Sequence, residues 1–362
     1  MTWVNRYNAK ENLQTVTETK GPWINGKFDA RMSGGCNIFG YDTTIWENVK
    51  KQDLFMFSTA EYKADQYEEL AKLLKYKSLN GVYYSGSSGS DAVETAVRIA
   101  FDVNKKNKIV SRQSTWHGGT ILSSSLGNHR YFKNYESMYT TNVVRKPMPD
   151  NPPYTNLSEL VASDLEFLKQ QKDVSAFICE PLPTWSHGFK YKFDRPDCYN
   201  ELREYCDKNE IVLIFDEVMT GFKTGKRYFT EYLDIEPDLL CLSKGITAGV
   251  IPFSTVLGRT DYLDKLQHGH TWSGHYLGVV AAIETVKQVN KWQSNILDMN
   301  KQYGHYFDNV LGCFFSTDTK NIRFSDKIIY VYKNITGATV FTLPLNIQKE
   351  DFDFLIKEVI IQ

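Results

Sequence analysis

The sequence predicts an α/β fold in which a mostly parallel central sheet is covered by helices and joined by a small α+β lobe. Three observations lead there. Short apolar runs of strand length recur between residues 81 and 258. Segments with helical periodicity separate several of them, the pattern of parallel strands linked by crossover helices. The residues that end the runs are polar or charged, as expected where a parallel sheet presents functional groups at the carboxyl ends of its strands. A chain of 362 residues, 42% hydrophobic and 23% charged, has the material for one large core and a second, smaller lobe.

Taken in order, Tyr67 to Lys77 (YEELAKLLKYK) repeats its apolar residues at helical spacing, Gly81 to Ser85 (GVYYS) is a short strand, and Ser90 to Val103 (SDAVETAVRIAFDV) returns to the helical period. Further strands are expected at Lys108 to Arg112, Ala176 to Glu180, Ile211 to Glu217, Leu239 to Ser243 and Ser254 to Gly258. ELVASDLEFLKQQ and DCYNELREYCDKN supply helical patterning between some of them. The large domain is accordingly assigned to residues 41–289. Residues 1–40 together with 290–362 form the small domain, where DKIIYVYKN and GATVFTLPL read as strands and KEDFDFLIKEVI as a closing helix. The proline-rich stretch Lys146 to Asn156 is a loop, too short to link independent domains.

Lysine plus arginine (42) balances aspartate plus glutamate (43), and no long basic run occurs. Nucleic acid and anionic membrane surfaces are therefore not expected as partners. The first residues, MTWVNRYNAKENLQ, lack the apolar stretch of a signal peptide, and no apolar run reaches the roughly 18 residues a membrane span needs. A soluble, cytoplasmic protein is expected. Cys36, Cys179, Cys198, Cys206, Cys241 and Cys313 show neither a CxxC nor a Cys/His ligand spacing, so they are taken as reduced core thiols with no metal site.

The chemistry concentrates at the strand ends. Lys244 follows the apolar run LLCLS, although an ammonium is costly to desolvate. SSGS opens the helix at Asp91, either as an N-cap serine or as an anion cradle that uses free N–H groups and the helix dipole. Trp116-His117-Gly118 is either a stacking platform or a buried aromatic beside a satisfied histidine. Glu180, Asp216 and Glu217 end two further strands. A lysine acting as nucleophile toward an aldehyde needs a neutral fraction, which desolvation supplies, and Gly245 after it allows a sharp turn around a bound ring. A buried carboxylate would keep a pyridinium nitrogen protonated, an anion cradle would hold a phosphate, and an aromatic would cover a ring face. Together these are the demands of pyridoxal phosphate. Without that combination, the chain reads as an α/β protein with a nucleotide-like phosphate loop.

The string IFDEVMTGFKTGKRYFTEYLDIEPDLLCLSKGITAGVIPFSTVLGR resembles the core signature of the class III aminotransferases, pyridoxal-phosphate enzymes of fold type I. SSGSDAVETAVRIAF is similar to their phosphate-loop helix start, WHGG to their aromatic-His-Gly motif, and CEP (Cys179 to Pro181) to their Glu-Pro. HGHTWSGHYLG is similar to the segment that reaches into a neighbouring subunit. The resemblance covers residues 80 to 285 in consistent order. It implies a fold type I transferase that moves an amino group from an amine donor to a carbonyl acceptor by a ping-pong cycle. Lys244 would be its Schiff-base lysine and proton carrier, and Asp216 the partner of the pyridine nitrogen. Ser88, Gly89 and Ser90 would bind the phosphate, Trp116 and Val218 would enclose the ring, His117 would support that wall, and Glu180 would sit near substrate and cofactor. Thr271 would complete the phosphate site of a second copy, which implies a homodimer.

The sequence also departs from the family pattern. Met219 stands where many relatives have a glutamine, and DEVMTGF resembles the glutamate-1-semialdehyde aminomutase branch, whereas HGHTWSGH resembles the omega-aminotransferases. An intramolecular aminomutase and a non-catalytic relative are the alternatives. No Arg-Gly-x-Gly precedes the closing strands, and Arg323 is the only arginine after Arg259, so an arginine fork on a substrate carboxylate is not expected. The terminal segments look trimmed relative to typical members.

Overall fold

The computed structural model describes residues 15–52, 64–127, 135–148, 155–184, 188–318, 327–329, 332–333 and 338–359. The expected N-terminal feature (1–14), most of the proline-rich loop (149–154) and Arg323 lie outside them.

Seven strands form the central sheet. They are β1 (Gly81–Gly86), β2 (Lys108–Arg112), β3 (Val143–Lys146), β4 (Val174–Cys179), β5 (Val212–Asp216), β6 (Leu239–Leu242) and β7 (Ser254–Gly258), in the spatial order β1-β7-β6-β5-β4-β2-β3. All pairings are parallel except the two that β7 makes, with β6 and β1. Two antiparallel steps restore direction, so β1 runs with the other five, and the carboxyl ends of six strands share one edge. Every residue of β4, β5, β6 and β7 is buried, which is why their sequences are continuous apolar runs rather than alternating ones. The edge strand β3 is only half-buried and carries Arg145 and Lys146, so its four residues gave no strand signal.

Helix α1 (Gly89–Asn104) follows β1 and lays Ala92, Val93, Ala96, Val97, Ile99 and Ala100 against the sheet. A second long helix, α2 (Tyr276–Tyr303), packs into the core through Val279, Val280, Ile283 and Val286 and was not evident from the sequence. Two small sheets flank the central one. Strands Thr19–Lys20, Trp23–Ile24 and Lys27–Asp29 are joined in parallel by Ile328–Ile329. Asn309–Leu311, Phe314–Asp318, Ala338–Thr342 and Tyr332–Lys333 form an antiparallel sheet, and the closing helix Lys349–Val359 stacks Phe352 on Tyr303 at 4.4 Å.

Beneath the site edge lies a buried charge cluster. Arg112, at the end of β2, donates from Nε and Nη2 to Asp164 Oδ2 at 2.8 and 2.6 Å, and Lys146, at the end of β3, donates to Asp164 Oδ1 at 2.8 Å. Arg112 Nη1 donates to the Glu180 carbonyl at 2.7 Å, and Tyr199 Oη to the Pro181 carbonyl at 2.8 Å. One carboxylate thus pairs with two cations, and Arg112 and Tyr199 fix the backbone that leaves β4. Replacing it leaves both cations buried without that carboxylate, so Asp164→Asn is expected to lower unfolding free energy by about 3–5 kcal/mol. Urea denaturation followed by circular dichroism checks this; an unchanged midpoint would contradict it.

Candidate active site

The Lys244 centre is built on the carboxyl edge of β5 and β6. The two strands pair in parallel with Asp216 opposite Cys241. β6 ends at Leu242, Ser243 Oγ donates to the Phe253 carbonyl at 2.8 Å, and Lys244 opens a 3₁₀ turn, Lys244–Thr247. Its backbone takes φ +45°, a left-handed conformation that costs a residue with a Cβ about 1–3 kcal/mol and persists only where its surroundings impose it. The side chain is half-buried, with Nζ 3.4 Å from Met219 Sδ.

Asp216 is buried. Its Oδ2 lies 2.7 Å from His117 Nδ1 and its Oδ1 accepts the Val218 N–H at 3.0 Å. A carboxylate has about four lone-pair sites, so Asp216 retains capacity for a further donor. His117 Nε2 is buried and has no hydrogen-bond partner among the described residues. Glu217, next along the chain, serves the opposite side: it accepts the N–H groups of Phe229 and Thr230 at 2.6 and 2.9 Å and the hydroxyls of Thr230 and Thr220 at 2.7 and 3.0 Å. Burial pushes its carboxyl above the usual range, while those four bonds pull it down.

At the start of α1, Ser88 is the N-cap of a full capping box. The N–H groups of Ser87 and Ser88 donate to Asp91 Oδ2 at 2.9 Å, and Ser88 Oγ accepts from Asp91 N–H at 3.4 Å. Ser88 is therefore engaged by the cap, and Gly89 and Ser90 hold the first helical N–H groups, which have no intrahelical acceptor. Ser90 Oγ accepts the Gly119 N–H at 3.0 Å. A Cβ on Gly89 would stand 2.7 Å from Val218 Cγ1, so only glycine lets the helix start approach that side chain. Trp116 is 40% exposed, and its backbone N–H donates to Glu180 Oε1 at 3.4 Å. These contacts tie the candidates together: Lys244 to Met219, Val218 to Gly89, Ser90 to Gly119, His117 to Asp216, and Trp116 to Glu180. An amine, a carboxylate with spare acceptor capacity, a helix start whose first N–H groups at Gly89 and Ser90 remain available beside the Ser88 cap, and an aromatic face are the set that pyridoxal phosphate needs, so the residues fit that cofactor.

Residues 16–330 match the family described as aminotransferase class-III. The chain belongs to the class-III aminotransferases. It is an enzyme of amino transfer, in a family that works with pyridoxal phosphate. Over 322 residues it is 26% identical to the adenosylmethionine-8-amino-7-oxononanoate aminotransferase of Staphylococcus aureus, covering 78% of this chain and 70% of that protein. An omega-aminotransferase of Caulobacter vibrioides is 27% identical over 78% of this chain and 68% of its own length. A 32%-identical relative from Anoxybacillus flavithermus is matched over only 51% of its length. In fold, the chain is similar to a taurine:2-oxoglutarate aminotransferase of Bifidobacterium kashiwanohense, with TM-score 0.81, 22% identity, and coverage of 96% of this chain and 91% of that one. No helix among the described residues is long and apolar enough to cross a membrane.

Two further positions singled out in the sequence have these surroundings in the aminotransferase. Gly245 does not turn the chain through a left-handed backbone. It makes room instead: a Cβ there would meet Ile38 Cγ2 at 2.9 Å and Lys223 Nζ at 3.0 Å. Thr271 is exposed, and among the described residues no hydrogen bond joins it to the Lys244 cluster.

Lys223 escaped the sequence reading. It is wholly buried, and Nζ donates to the Gly221 carbonyl at 3.1 Å. Burial, reinforced by the charge on Lys244, lowers its pKa from 10.5 to about 7. Below pH 7 both folded and unfolded chains carry the proton, and the folded state bears the whole cost of the buried charge. As pH rises from 7 toward 10.5 the folded lysine is neutral while the unfolded one stays charged, so relative stability increases. Lys223→Met keeps the shape without the charge. Its melting temperature is expected to exceed that of the parent by a few degrees below pH 7, with the gap closing toward pH 10.5. Calorimetry across that range checks the sign; a gap that widens with pH would contradict it.

Proposed function

We propose that this aminotransferase works from one centre around Lys244, moving an amino group from an amine or amino-acid donor to a carbonyl acceptor in two half-reactions. The assignment rests on a lysine held in strained backbone, one strand away from a buried carboxylate tied to a histidine. Pyridoxal phosphate, when bound, supplies the electron sink that makes a proton on the donor's amine-bearing carbon removable. Lys244 would hold that group covalently through Nζ and, when released, carry the proton at the same carbon. Asp216, oriented by His117 and by the Val218 N–H, would keep a ring nitrogen protonated. The N–H groups of Gly89 and Ser90 would hold the phosphate at the positive end of α1, with Ser88 fixing the helix start through its cap. Trp116 and Val218 would enclose the ring, and Glu180 would border the substrate.

We also read the assembly as a homodimer in which Thr271 serves the partner's phosphate site. Its exposure, next to a Trp272 that is 57% exposed, supports this, because large apolar side chains left on a surface favour a protein contact. The parallel pairing of Ile328–Ile329 with Lys27–Asp29 supports a small lobe made from residues 1–40 and 290–362 beside the 41–289 domain. All six cysteines are free thiols, which supports a reducing, cytoplasmic setting.

Lys244→Ala is expected to reduce turnover of any active donor by roughly 10³-fold or more, since it removes both the attachment and the base. It should also abolish borohydride-trapped pyridoxal phosphate on the protein, which peptide mass mapping places on Lys244 in the parent. Retained turnover would overturn the assignment. Trp272→Asp is expected to shift the sedimentation equilibrium toward monomer and to weaken cofactor retention together; a dimer unchanged by it would remove the shared-site proposal.

A further inference from the structure

A cleft of about 490 Å³ opens on the outer side of α1, and no residue of the Lys244 cluster lines it. It lies between the C-terminal half of α1, the start of β2, the helix Ile121–Gly127 and the segment that leads to His268. Val97, Phe101, Ile109, Leu122 and Leu266 give it an apolar wall. Its volume falls in the range of small-molecule sites, which combine such a wall with a few polar groups that fix orientation.

The charged groups around the cleft are unequally matched. Asp102 is paired with Lys105 at 2.6 Å. Lys106 donates to the carbonyls of Asn209 and Glu210 at 2.6 and 3.2 Å and lies 3.8 Å from the Glu210 carboxylate. Glu94, one turn before Arg98 on α1, accepts the Thr120 hydroxyl at 2.5 Å. Arg98 differs from these. Its Nη1 donates to His268 Nε2, and among the described residues it has no other hydrogen bond and no carboxylate within ion-pair distance. A histidine nitrogen accepts only while the ring is uncharged, and burial, followed by the charges on Arg98 and His270, holds His268 below its ordinary pKa.

Arg98 is thus a half-buried guanidinium that faces a neutral acceptor and an apolar wall. A cation so placed is stabilised by an anion, and its planar set of donors matches a carboxylate. Asp102 on the same wall disfavours a second negative charge, so the cleft suits a monoanion better than a phosphate.

We propose that this cleft is a second ligand site, for a small organic carboxylate whose acid group is held by Arg98 and whose apolar body lies against Val97, Phe101, Leu122 and Leu266. The occupant would join α1, whose first turn carries Gly89 and Ser90, to the segment that runs on from His268 to Thr271. The site is independent of which lysine carries the cofactor.

The test uses the full chain loaded with pyridoxal phosphate, titrated with 3-phenylpropionate in a calorimeter. Saturable binding is expected. It should weaken by about tenfold or more for 3-phenylpropanamide, which keeps the shape without the charge, and by a similar factor for the acid on Arg98→Met. A lack of saturation, or equal affinity for acid and amide, would overturn the proposal. So would undiminished binding to Arg98→Met; an accompanying change in the visible absorption of the cofactor would then place the probe at Lys244 and leave the proposed function standing. Should Arg98→Met fail to fold, Leu122→Trp keeps the guanidinium and fills the apolar wall. It is expected to weaken the acid by the same factor, and unchanged affinity there contradicts the site.

Discussion

The parallel register between β5 and β6, with Ile214, Phe215 and Asp216 opposite Leu239, Leu240 and Cys241, is the constraint on which the centre depends. Side chains alternate along a strand, so a slip of one residue would exchange the places of Asp216 and Glu217. In the native register Asp216 meets His117, while Glu217 closes the turn Phe229–Tyr232 through backbone N–H groups. Two adjacent carboxylates are thereby separated in role by geometry alone. The same register sets Asp216 level with Cys241, three residues before Lys244.

Around this edge, charge is handled in two ways. Asp164 is surrounded by Arg112 and Lys146 and makes a compact, saturated cluster that anchors the chain where it leaves β4. Lys223 has a carbonyl as its acceptor, with two thiols, Glu217 and Lys244 acting on its charge. The first arrangement favours rigidity, since both oxygens of Asp164 and the Nε, Nη1 and Nη2 of Arg112 are hydrogen-bonded. The second leaves a titration within reach of neutral pH, a property suited to a centre whose work is proton movement.

Much of this was legible in the sequence. The interior strands declared themselves because burial on both faces demands unbroken apolar runs, and Lys244, Asp216 and Glu180 stood out because each ends such a run. SSGS was legible as a helix start, either capped by a serine or open to an anion, and the structure shows a capping box between Ser88 and Asp91. What could not be read had physical causes. β3 is a half-buried edge strand with two cations. Arg112, Lys146 and Asp164 are far apart in sequence and meet only through the strand order. Lys223 sits in a polar-looking stretch, GFKTGK, whose burial is imposed by the turn at Gly312 and Cys313, nearly a hundred residues away. Gly245 was legible as room for a sharp turn; that its missing side chain also leaves space for Ile38 and Lys223 depends on what approaches it in the fold.

The pairing of Phe28 with Ile328 also governs how the chain comes into being. A strand near the beginning must wait for a partner roughly 300 residues later, some tens of seconds at a translation rate of ~5–20 residues per second. The Cys313 N–H reaches the Lys223 carbonyl at 2.7 Å, so the wall that seals Lys223 arrives equally late. The burial that lowers the Lys223 pKa is therefore completed only by the last sixth of the chain, which supplies Cys313.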